Sequence, residues 1–163
     1  MASQSRVPWV FTSARRNLER LAFRNFGLCN CWPQLNAGSD RLPVMDLDWT
    51  HGRLAEGLRC YRGQEFFAAH EHWENEWLAS QEPEKTFLQA LIQVAAAFHH
   101  FRRGNPEGTR LLLQAALRRL EIYPDSFAGV SVILLSEGIR EWLHALESGQ
   151  TSEPVFPLIR LST

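Results

Sequence analysis

No apolar run in this chain reaches the roughly 18 residues that crossing a bilayer requires, so no membrane-spanning helix is expected. A basic excess is missing as well. Charged residues make up 21% of the 163 and the net charge is −1, which leaves no electrostatic footprint for nucleic acid over the whole chain. Cysteine is scarce, with only Cys29, Cys31 and Cys60. The C-x-C spacing of the first two is not that of a zinc knuckle, and no second pair follows. An odd count without a secretory signal reads as reduced thiols in a cytoplasmic protein. The Gly-rich strand–helix turn of phosphate-binding folds is absent, and Gly104-Asn105-Pro106 reads instead as a helix stop followed by a cap. Repeats and sustained strand alternation are lacking too.

What is present divides into two parts. Residues 1–44 hold six arginines against one glutamate and one aspartate, while residues 45–163 hold eleven basic and sixteen acidic side chains. The first part is read as a basic N-terminal extension, disordered or not native to the fold. Its stretch 12–26 has the pattern of a short amphipathic helix, with Leu18, Leu21, Ala22 and Phe26 on one side. Its Arg-rich, acid-poor composition resembles a transit peptide, and Met45 offers an alternative start. Arg15, Arg16, Arg20 and Arg24 are a minor candidate for touching nucleic acid or lipid.

From Asp48 onward the apolar period is helical. Asp48 is the expected N-cap of a first helix ending at Gly63. A second covers about 64–79 and a third about 84–103, stopped by Gly104. Asn105-Pro106 caps a fourth, and a fifth runs from about 131 to 147. PVFPLIRL, residues 154–161, is too Pro-rich for a helix and reads as an extended tail that docks on the bundle or on a partner chain. The expected fold is all-α, a bundle of about five helices in residues 45–163 whose short connections make neighbouring helices antiparallel.

The second helix carries EFFAAHEHWENEW, Glu65 to Trp77. On a helical wheel Phe66, Trp73, Trp77 and Phe67 form the core-facing stripe, and His70 and Glu74 fall inside it. Glu71 lies at the margin, while Glu65, His72 and Glu76 face water. A carboxylate placed by pattern in a core must be paired or protonated. His70 and Glu74 are i, i+4 neighbours. The third helix has an apolar stripe that includes His99, and beside it a row of Gln89, Gln93, Ala96 and His100. If that row faces the second helix, Gln93 and His100 become ligand-binding partners of His70.

These two motifs, His70-Glu71-x-x-Glu74-x-x-Trp77 and Leu91-Ile92-Gln93-x-Ala95-Ala96-Ala97-x-x-His100 running on to Gly104-Asn105, resemble the family called domain of unknown function 309. The resemblance covers about 49–146. It implies a three-helix closed up-and-down bundle with added helices, favours His100 over His99, and brings no activity.

Three chemistries follow from the residues. His70, Glu74 and His100 would supply two imidazoles and a carboxylate to one divalent metal ion such as Zn²⁺ or Fe²⁺. Glu71 would then activate a bound water. Without metal, Glu74 would orient His70 for proton transfer. In the third reading the His/Glu/Gln cluster is a hydrogen-bond network fixing helix register in a scaffold or homodimeric module.

Overall fold

The computed structural model describes residues 47–148 and 154–162. The expectations for residues 1–44, for the helix over 12–26, for Cys29 and Cys31, and for a helix stop at Gly149 lie outside the described residues. Five helices are present among those described: α1 Gly52–Arg62, α2 Phe66–Ala79, α3 Glu84–Arg102, α4 Pro106–Leu120 and α5 Val132–Ser148. Each packs against its sequence neighbours, except that a hairpin comes between α4 and α5 along the chain. This is the expected all-α bundle. No described helix is long and apolar enough to cross a membrane.

The helix ends follow local chemistry. Gly104 takes φ +70° and stops α3, a conformation that side chains with a Cβ resist. Asn105 then accepts a hydrogen bond from the Gly108 amide at 2.9 Å, with Pro106 at the first helical position. Asp48 departs from its expected role. It accepts from the amides of Thr50 and His51, at 2.8 and 3.1 Å, and so caps a turn ahead of the helix. The N-cap is His51, because Gly52 at φ +70° breaks any helical path from Asp48.

α3 is the central helix. Phe87, Leu88, Ala90, Leu91, Val94, Ala95, Ala97 and Phe98 are all fully buried along it. The small residues admit neighbours closely on more than one side, which is why this helix is apolar over most of its circumference. α1 approaches α2 through Gly57, where a methyl group would overlap the indole of Trp73. Cys60 is a buried free thiol in this core. Leu111 on α4 and Leu134 on α5 are large apolar side chains that stand exposed.

A short antiparallel hairpin, β1 Ser126–Phe127 and β2 Val130–Ser131, precedes α5, against the expectation of no strands. Its turn residues Ala128 and Gly129 have φ +48° and +77°. The buried Trp49 indole donates to the Ala128 carbonyl at 2.6 Å and holds this turn from 79 positions away. The tail is extended, as its prolines require, and docks on the bundle. Arg160 O accepts from the Ser131 amide, and the Ser162 amide donates to Gly129 O. Phe156 enters a ring cluster with Phe66, Phe98 and Trp142, at centroid distances of 4.9, 4.9 and 5.3 Å.

Candidate functional site

α2 buries Phe66, Ala69, His70 and Trp73, the i, i+3, i+4, i+7 spacing of one helix face. His70 is therefore packed with the core and only 4% exposed. The ring of Phe67 lies stacked beside it, centroids 6.3 Å apart. The Nδ1 atom of His70 is sealed from solvent and has no hydrogen-bond partner. Burial pushes the imidazole down to about 4, and the neighbouring His99 adds to the shift. His70 is thus neutral at physiological pH, with one N–H to give and one lone pair to fill.

One turn further along, Glu74 is half-buried. Burial raises its carboxyl above the usual range, and the charge of Glu71 raises it further. The ion pairs among the described residues are Asp48–His51, Glu56–Arg59 and Glu107–Arg110, so no cation offsets this carboxylate. Three residues later the Nε1 of Trp77 is a second sealed atom without a partner. The Lys85 ammonium sits 4.9 Å from the Trp77 ring centroid. Along one strip of α2, His70 and Trp77 at i and i+7 each bury a polar atom without a partner, with Glu74 at i+4 between them. Leaving a buried donor or acceptor unsatisfied costs about 1–3 kcal/mol.

The partners expected from α3 turn elsewhere. Gln93 accepts from Arg119 of α4 at 3.2 Å. His100 Nδ1 accepts from the Asn105 side-chain amide at 3.0 Å, next to Gly108. Both lie on the side of α3 that meets α4. The residue beside His70 is His99, whose ring lies 5.3 Å from Phe67. Burial lowers its pKa, with Arg103 and His100 adding to the effect. The apolar stripe of α3 is the side that meets α2, and a histidine on that stripe had to arrive there. Trp77, expected as plain core, is half-buried with its indole nitrogen unmet. Lys85 and Arg119 carried no sequence signal beyond their types.

Among the described residues no three His, Cys, Asp or Glu side chains form a group that could hold a metal ion. His70, Glu74 and His100 do not assemble into the expected set. Glu71 is exposed, away from the sealed nitrogen of His70. Among the described residues no hydrogen bond links His70 to Glu74 or Gln93, so the expected register network lacks those bonds.

Residues 54–112 match the model of a family described as domain of unknown function (DUF309). The match runs from α1 into α4. It takes in His70, Glu74, Trp77 and His99 and ends before Arg119, the hairpin, α5 and the tail. An uncharacterized protein of Aquifex aeolicus (strain VF5) is 31% identical over 101 residues, which is 61% of this chain and 30% of that protein. The chain thus spans under a third of that relative's length.

Proposed function

We propose that this chain, similar over residues 54–112 to domain of unknown function (DUF309), binds a small ligand at the strip His70–Glu74–Trp77 of α2, flanked by His99. One observation carries the reading: a histidine nitrogen in the core, sealed from water and without a partner. A structural histidine at that depth is expected to be bonded. A ligand that hydrogen-bonds His70 and accepts from the Trp77 N–H would satisfy both groups at once. A small molecule fits this strip better than the divalent cation expected from the sequence. The indole N–H is a donor only and cannot ligate a metal, and among the described residues no three His, Cys, Asp or Glu side chains converge.

The test compares His70→Phe with wild type. If the imidazole serves a ligand, it is a burden to the empty protein. His70→Phe then raises stability at pH 7 by about 1 kcal/mol in urea denaturation, the scale of one unsatisfied buried group. Native mass spectrometry of the gently purified protein shows a small-molecule adduct that His70→Phe loses and the surface change His72→Ala keeps. A His70→Phe protein destabilised by more than about 2 kcal/mol makes His70 structural and ends the proposal. Loading with Zn²⁺, Mn²⁺ or Fe²⁺ forms the other arm: stoichiometric metal lost in Glu74→Gln would replace the small molecule with a cation.

A further inference from the structure

On the opposite side of α3, the α4 residue Arg119 is half-buried with its guanidinium between the two helices. Its hydrogen bonds go to neutral oxygens. Nη1 donates to Gln93 Oε1 at 3.2 Å and to Ala115 O at 3.1 Å. No carboxylate pairs with it, and none of the three ion pairs among the described residues involves it. Burial and the adjacent Arg118 both work against its charge, so its pKa is lowered. Glu82 and Glu84 act on Tyr123, whose hydroxyl donates to Pro83 O at 2.7 Å. A partly desolvated cation, next to a second cation and without a counter-charge, is an arrangement that a bound anion would relieve.

The donors left over have the geometry of such an anion. Arg119 has used one of its two terminal nitrogens and keeps Nε–H and Nη2 without a protein partner. Gln93 has given only its oxygen, so its amide N–H₂ remains available beside the guanidinium. A planar fork with a neighbouring amide matches two oxygens of one ligand, the bidentate mode in which arginine exceeds lysine. We propose that Arg119 and Gln93 form a binding site for a small oxyanion, a carboxylate or a phosphate, where α4 meets α3. The site is separate from the His70 strip and does not depend on it.

The probes are sodium acetate and inorganic phosphate, titrated at matched ionic strength against sodium chloride so that general screening cancels. The readout is the NMR shift of Arg119 Nε–H and of the Gln93 side-chain amide. Both signals are expected to move saturably with at least one of the two anions, and the tighter one identifies carboxylate or phosphate as the source. Arg119→Gln is expected to weaken that binding at least about tenfold, and Arg119→Lys to recover only part of it, since lysine keeps the charge and loses the fork. Gln93→Leu weakens binding without touching the charge. Linear, non-saturating shifts up to about 100 mM anion, or an Arg119→Gln protein that binds as wild type does, would overturn the proposal. Arg110→Gln, which breaks the exposed pair with Glu107 instead, serves as the control for nonspecific charge loss.

Discussion

At His70 the protein holds a titratable group in its neutral form chiefly by burial, with His99 adding to the effect. The imidazole titrates near 6.5 when exposed and at about 4 in the fold. Between those values the unfolded chain takes up a proton that the native state refuses. Stability therefore falls as pH drops from about 6.5 to about 4, then levels where both states are protonated. The difference is worth on the order of 3 kcal/mol. His99 acts in the same direction, more weakly because it is more exposed. The prediction is a steeper acid loss of stability in wild type than in His70→Phe, with the two curves converging toward neutral pH apart from the offset argued above. Urea midpoints at pH 7, 5.5 and 4.5 check it. Parallel curves would mean that His70 is already charged or already bonded in the native state. Glu74 has the opposite sign at neutral pH: its raised pKa marks an ionised form that the fold disfavours, so Glu74→Gln is expected not to destabilise.

Among the helices, the ends written in local chemistry were readable and the pairings between faces were not. Gly104, Asn105 and Pro106 each act within four residues of themselves, and all three do what their types predict. Asn105→Ala is accordingly expected to cost about 1 kcal/mol by removing the Gly108 cap, measured by thermal or urea unfolding, while Asn105→Gly costs only a few tenths. The cost for Ala is larger if the lost contact also releases His100. The hairpin was illegible for the opposite reason. Its strands have two residues each, its turn lacks the Asn-Gly signature, and Ala128 is held at positive φ by a tryptophan far away in sequence. The site divides in the same way. The periodicity of α2 alone placed His70 inside. Which row of α3 meets it depends on how two helices cross, and the wheel of one helix cannot supply that. The polar row Gln93–His100 went to α4, and the histidine on the apolar stripe took its place.

Across the whole molecule the tail closes the core that the helices leave open. Phe156 touches rings from α2, α3 and α5 at once. The backbone around it satisfies buried donors of the bundle: Val155 O accepts from the Trp142 indole at 3.0 Å and Pro157 O from the Tyr61 hydroxyl at 2.9 Å. Gly138 lets Pro157 lie directly on α5, where a Cβ would meet the proline ring. The family match ends in α4, so this closure is built from residues outside it, over a core whose α2 and α3 parts lie within it. Two consequences differ in size. Phe156→Ala removes a half-buried ring and is expected to cost about 3 kcal/mol, the lower end for a core phenylalanine because part of the ring already meets water. Gly138→Val drives a branched side chain into Pro157 and lifts the tail as a unit, which also orphans Tyr61 and Trp142. Its cost should exceed that of Phe156→Ala even though it deletes no contact atom. Urea denaturation orders the two. If Gly138→Val proves the milder, the tail lies on the bundle without sealing it, and Phe156 acts as a single side chain in place of the anchor of a strap.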